Sequence, residues 1–211
     1  MYRLRQGYVL GFHGCDEKTR DAVISGQSQL LQSKNNWDWL GNGVYFWEHS
    51  EKRALEYAHI LKKNPHRCSK KIEKPAVLGA VLSLGKCLDL LTHDHLDLLR
   101  ISLTLFVENC SREKKELPVN KTVNNDPDFP LRFLDCAVIE FLHSITKLNR
   151  GRKDNSLSPF DSVRSVFWEG SPLYDGAGFR KNNHIQLCIR NPNCIKGYFL
   201  PMEKDPKFVS V

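Results

Sequence analysis

The stretch Gly41–Ser50, GNGVYFWEHS, decides how the rest of the chain is read. Two glycines make a tight turn, and the run Val44-Tyr45-Phe46-Trp47 behind it has the β-branched and aromatic composition of a strand. Ser50 suits a helix N-cap. Ala54, Tyr57, Ala58 and Leu61 then keep a 3.6-residue period, so a helix starts at Glu51 and stops before Pro65. So much ring surface beside so flexible a turn admits two readings: ordinary core, or the floor of a site for a flat ligand. The GNG triplet precedes a strand, which is the wrong context for a P-loop or a dinucleotide-binding GxGxxG.

Working outward, Tyr8 to His13 reads as a strand in which Gly11 permits close backbone approach, and Asp16 caps a helix over Glu17–Ser25 that Gly26 ends. Residues 27–42 form a polar, irregular loop around Trp37, Trp39 and Leu40. AVLGAVLSLG, from Ala76, is a continuous apolar run and predicts a strand buried on both faces. A leucine-rich helix follows over about His93–Glu108. The proline-broken tract CSREKKELPVNKTVNNDPDFP is an exposed insertion, and Leu131–Leu148 is a helix whose Leu134, Val138, Phe141, Ile145 and Leu148 make a core stripe. The basic loop NRGRKDNSLSP leads to strands at Ser162–Trp168, His184–Arg190 and Cys194–Leu200, the first two separated by a glycine-bearing loop over Gly170–Asn182. The sum is an α+β fold, a mostly antiparallel sheet with inserted helices, in a single domain over residues 1–211. Periodicity gives no strand order.

Bulk properties narrow the function classes. With 41% hydrophobic and 26% charged residues over 211 positions, the chain has globular composition and enough length for a core. Thirty-one Lys and Arg against 24 Asp and Glu give +7, which favours polyanionic partners. Residues 50–74 hold eight Lys or Arg and three Glu, a net of +5, with Lys62, Lys63, Lys70 and Lys71 in the basic segment KKNPHRCSKKIEK. Seven cysteines, none in a CxxC pair, read as free thiols of a reducing compartment, with no metal site. The N-terminal MYRLRQGYVLGFHG has only a brief apolar stretch, so neither a secretory signal nor a membrane span is expected, and the cytoplasm is the default location.

Three segments carry a family resemblance: GFHGCDEKTRDAVISG, then WLGNGVYFWEHSEKRALEYA, then NHIQLCIRN. Together they resemble the signature strands of the diphtheria-toxin-like and poly(ADP-ribose)-polymerase-like ADP-ribosyltransferases, which carry a histidine, a tyrosine and a glutamate on successive strands. The likeness covers the N-terminal third and the last quarter of the chain; the middle adds only compatible element types. It implies a split sheet with an NAD cleft, NAD as co-substrate and no metal. His13 would hold a ribose hydroxyl of NAD, and the Gly14 backbone would pair with the nicotinamide carboxamide. Tyr45 would stack on the nicotinamide ring, with Tyr57 as a second aromatic wall. Asn42 joins this cofactor-binding set or serves the turn alone. Gln186 stands where the family has its catalytic glutamate, with Glu169, and behind it Asp175, as carboxylates that compensate. The loop containing Tyr174, Asp175, Phe179 and Arg180 lies where the family recognises the group to be modified.

These residue types suit the chemistry. Breaking the nicotinamide–ribose bond builds cationic character at the ribose, so oriented contacts that strengthen with that charge lower the barrier. Glutamine can accept a hydrogen bond but carries no charge, a loss of about 2–3 kcal/mol of such stabilisation, and this favours transfer of one ADP-ribose over polymer synthesis. The resemblance thus implies a mono-ADP-ribosyltransferase with a macromolecular acceptor, RNA or other nucleic acid ahead of protein. The basic segments 62–74 and 147–153 would steer a nucleic acid, and the Tyr174–Phe179 aromatics would stack on a splayed base. A small freestanding transferase further implies an intracellular toxin-like effector with a neutralising protein partner. The alternatives are a catalytically inactive NAD- or ADP-ribose-binding module, and a protein-interaction domain in which every aromatic is core.

Overall fold

Strand β1 (Val9–Asp16) runs the full length of β3 (Pro75–Leu82), pairing residue by residue from Val9 with Leu82 to Asp16 with Pro75. It meets β2 (Val44–Glu48) over only two residue pairs, Gly11 with Glu48 and Phe12 with Trp47. The computed structural model describes residues 7–68, 70–122, 131–148, 158–203 and 206–208. The remaining strands are β4 (Cys87–Asp89), β5 (Ser162–Phe167), β6 (His184–Ile189) and β7 (Ile195–Phe199), in one seven-stranded sheet of order β4-β5-β6-β2-β1-β3-β7. Every neighbouring pair is antiparallel except β4 with β5. The fold is therefore mixed α and β around a mostly antiparallel sheet.

Four helices cover it: α1 (Glu17–Ile24), α2 (Glu51–Lys63), α3 (His93–Glu113) and α4 (Phe133–Leu148). Asp16 caps α1 as expected, accepting from the Lys18 N–H, and its second carboxylate oxygen takes the Glu73 and Lys74 N–H groups at 2.7 and 2.9 Å. One side chain thus starts a helix and clamps the chain entering β3. Gly14 admits α2: a Cβ there would lie 2.0 Å from the Ala54 carbonyl oxygen, so only glycine lets the helix backbone rest on the strand. Phe12, Trp47, Ala54 and Val77 fill the space beside it. On the same face of the sheet, α4 packs Ile139 and Leu142 on Val163 and Cys188. The opposite face holds Val44, Phe46, Leu82, Leu187 and Ile189.

One expectation changes and one strand is new. The α4 stripe is rotated: the helix buries Cys136, Val138, Ile139, Leu142, His143 and Thr146, while Leu148 is 82% exposed. The helix has two partners, the sheet on one side and α3 on the other, where Phe106 meets Phe141 at 5.3 Å between ring centroids, and a single-stripe reading misses the second. Strand β4 has only three residues, and its parallel pairing with β5 is closed by the whole α3–α4 insertion. The basic loop from Asn149 to Leu157 and the end of the insertion, from Val123 to Pro130, lie outside the described residues.

A buried ion network ties the sheet's far edge to its centre. Arg164 on β5 bonds Glu48 through Nε at 2.5 Å and Nη2 at 3.1 Å, and Asp89 through Nη1 at 3.2 Å. Burial pulls the Arg164 pKa down, but the two carboxylates outweigh it and hold the guanidinium charged. Replacing Arg164 by Met takes the guanidinium from two buried carboxylates, so we expect a loss of about 3–5 kcal/mol in urea unfolding at neutral pH. A loss under 1 kcal/mol would mean that the network does not tie the edge to the centre.

Candidate functional site

The sheet opens beyond Phe12 and Trp47. The His49 N–H donates to the Leu10 carbonyl, so the alternating backbone polar groups of Leu10, Phe12 and Gly14 point to the β2 side of β1. At Gly14 that side no longer has a ladder partner, because the register with β2 ends at Phe12. In its place the His13 imidazole reaches across, its Nδ1 donating to the Tyr45 carbonyl at 2.8 Å. Burial holds the His13 pKa below its ordinary value, against the raising effect of that bond. The ring is thus neutral near pH 7, with Nδ1 carrying the proton and Nε2 left as an acceptor. Past Phe12, the β2 side of β1 thus carries the buried backbone of Gly14 next to a neutral imidazole.

Tyr45 is held from both ends. Its hydroxyl donates to the Gly41 carbonyl at 2.7 Å and accepts from the Leu40 N–H at 3.2 Å, and burial raises its pKa well above the ordinary value. The turn it grips is clamped again from outside. Glu140 on α4 accepts the Asn42 N–H at 2.8 Å, and Arg190 donates to the Asn42 carbonyl at 2.9 Å and to Glu140. Gly41, at φ +76°, leaves no room for a side chain between Glu140, Arg190 and Ile139. Asn42 thus acts through its backbone.

Gln186 faces Trp47 across β2 and β6, two strands from β1. Its Oε1 accepts from the indole Nε1 of Trp39. An indole N–H only donates, so this bond fixes the amide with its NH2 turned away from Trp39. Around Gln186 runs a row of rings: Trp39 with Phe167 at 4.8 Å between centroids, Phe167 with His184 at 5.4 Å, His184 with Trp47 at 6.0 Å, and Trp47 with Tyr57 at 4.9 Å. Tyr57 therefore packs on Trp47 and not on Tyr45. Phe46 and Trp47 are buried core, as their sequence setting suggests.

Glu169 is bound by Arg53 of α2 at 2.7 Å and lies 3.9 Å from His184 Nδ1. It sits beside the start of β6 with its charge answered by a guanidinium. His184 Nδ1 donates to the Asn182 carbonyl at 2.8 Å, and burial lowers its pKa to about 4. Glu48, next along β2 from Trp47, is taken up by Arg164.

The loop after β5 is a hairpin. Pro172 bridges Arg180, the Leu173 N–H meets the Phe179 carbonyl, and Arg180 donates to the Gly170 carbonyl. Its tip turns Tyr174 (60%) and Phe179 (64%) to solvent, and Asp175 is exposed between them. Lys62 and Lys63 end α2, and Lys70 and Lys71 follow a short 3-10 turn; all four are exposed. The structure brings His13, Gly14, Tyr45 and Gln186 onto three adjacent strands.

The sequence pattern assigns no role to Arg53, Glu140 or Arg190. Arg53 carried one usable signal, its place one helical turn before Tyr57. Glu140 and Arg190 are fifty positions apart and carried none. No helix among the described residues is long and apolar enough to cross a membrane.

Compared with known proteins, the chain is similar to an uncharacterized protein of Methanocaldococcus jannaschii, 24% identical over 204 residues, covering 88% of this chain and 83% of that one. No protein-family model and no solved structure matches the chain.

Two stability outcomes follow from the clamped turn and the buried rings. Tyr45→Phe removes one donor and one acceptor from buried backbone, which costs about 1–3 kcal/mol in chemical denaturation; no change would show that the hydroxyl does not hold the turn. His143 and His184 are both buried with pKa lowered to about 4. Unfolded histidines take protons below about pH 6.5, so their contribution is complete above that pH and is lost as pH falls toward 4. His184→Asn should flatten the fall in stability across that window, and an unchanged slope would mean that His184 titrates normally in the fold.

Proposed function

We propose that this protein is an NAD-dependent mono-ADP-ribosyltransferase of the ADP-ribosyltransferase fold, acting on a macromolecular acceptor. The observation that carries the reading is the end of β1–β2 pairing at Phe12, which leaves the backbone of Gly14 on the β2 side of β1 beside the His13 imidazole. A carboxamide has one acceptor and one NH2 donor and matches a single residue's backbone pair; a ribose hydroxyl matches His13 Nε2. Gln186, two strands away, turns its amide NH2 from Trp39 and can hold a ribose oxygen.

In this reading the C–N bond between ribose and nicotinamide breaks, nicotinamide leaves as a neutral amide, and an acceptor oxygen or nitrogen bonds to the same ribose carbon and gives up its proton. His13, Gly14 and Tyr45 orient the donor. Lys62, Lys63, Lys70 and Lys71 attract a polyanion, and Tyr174 and Phe179 offer stacking surface, so nucleic acid is favoured over protein as acceptor. An intracellular toxin-like role with a neutralising partner rests on the resemblance alone.

The second reading, an NAD-binding module without turnover, draws on one observation: the Gln186 oxygen is already engaged by Trp39. The two readings separate on incubation with labelled NAD, with and without RNA or protein extract. Nicotinamide release with label on a macromolecule supports transfer, and bound but unchanged NAD supports the module. Because the Trp39 N–H would suit a carboxylate as well as an amide oxygen, Gln186→Glu should raise transfer by about tenfold or more. His13→Ala should abolish both transfer and NAD binding. Absence of saturable NAD binding to the wild type would overturn both readings.

A further inference from the structure

The apolar side chains of α3 are only partly covered. Leu96, Leu99 and Leu103 face Val138 of α4 across a chamber of about 580 Å3, with Trp39 and Phe167 as its inner wall. That volume is in the range of small-molecule sites, and mostly apolar walls with a few placed polar groups are what such sites have. Three charged residues line it: Arg100, Arg132 and Asp135.

Arg132 is underused. A guanidinium has five N–H donors, yet among the described residues this one makes a single long contact, Nη1 to Asp135 at 3.5 Å. Its Nε is sealed from solvent with no hydrogen-bond partner among them, although the side chain keeps 27% of its surface exposed. Arg100, on the facing helix, is exposed and bonds Asp97 at 3.3 Å. With two guanidinia and one carboxylate the lining is net positive, and planar two-point binding of a carboxylate is what an under-bonded arginine does best.

The inner wall has a second role. Trp39 lines the chamber, and its Nε1 is the donor that fixes Gln186. Phe167, packed at a tilt against Trp39, continues the wall to His184. One indole therefore joins this chamber to Gln186.

We propose that the α3–α4 chamber binds an amphiphilic monocarboxylate. Its apolar body lies among the leucines and Val138, and its carboxylate lies on Arg132. Occupancy sets the position of Trp39 and so the orientation of Gln186. The binding claim stands by itself; the coupling to Gln186 rests on the reading given under Proposed function.

The probe is decanoate, titrated below its micellar range into the full chain and followed by calorimetry and tryptophan fluorescence. Saturable binding at one site is expected, with a fluorescence change that is reduced in Trp39→Phe, the remainder coming from Trp168, which also lines the chamber. Arg132→Met keeps the length of the side chain and removes its charge, and should weaken decanoate at least about tenfold. Leu103→Trp, on the partly covered face of α3, should fill the chamber and abolish binding, and Val138→Trp should do the same from the side of α4. Decyltrimethylammonium should not compete. Absence of saturation, equal affinity in Leu103→Trp, or equal binding of the cationic amphiphile would overturn the site. Coupling predicts that saturating decanoate shifts NAD affinity and that NAD shifts decanoate affinity by the same factor. Decanoate binding that leaves NAD affinity unchanged would overturn the coupling alone, and NAD that fails to bind at all would overturn the transferase reading while leaving the decanoate result intact.

Discussion

The parting of β1 from β2 after two residue pairs is the constraint on which the rest depends. Antiparallel strands normally satisfy their backbone groups by continuing the ladder, and stopping it leaves polar groups that need another partner. Here the His13 side chain supplies one, taking the Tyr45 carbonyl at 2.8 Å. The strands stay attached to the same sheet through β3 on one side and β6 on the other, so the opening is held and not merely loose. α2 closes over β1 because Gly14 has no side chain to keep it away. The same glycine serves the helix with its missing Cβ and the gap with its backbone.

Rigidity at this gap comes from a distance. Tyr45 is fixed by the turn at Gly41, and the turn is fixed by the Glu140–Arg190 pair. Burial raises the Glu140 pKa, but Arg190 and the Asn42 N–H outweigh it and hold the carboxyl below its ordinary range. Gln186 is fixed by Trp39. Tyr45 and Gln186 are thus each anchored by neighbours from other elements, which fixes their geometry without a ligand.

Much of this was legible in the sequence. Strand and helix positions near the GNG turn followed from composition and period, and Asp16 as a cap followed from its chemistry. The α4 stripe was read one-sidedly because periodicity does not count packing partners. Strand β4 was too short to carry a pattern. At the site, His13, Gly14, Tyr45 and Gln186 were picked by resemblance, and the sheet puts them on neighbouring strands. Their orienting partners were invisible because Trp39–Gln186 and Glu140–Arg190 join residues 147 and 50 positions apart. Tyr57 was expected at the nicotinamide wall, and its ring instead packs on Trp47.

The most direct measurement is an NAD titration of 15N-labelled protein followed at the Gly14 backbone amide. If that N–H is open to the gap and receives the carboxamide, its resonance moves saturably with NAD and with nicotinamide alone. A Gly14 signal that stays fixed while NAD saturates other residues would contradict the account, because the ligand would then lie somewhere other than between β1 and β2.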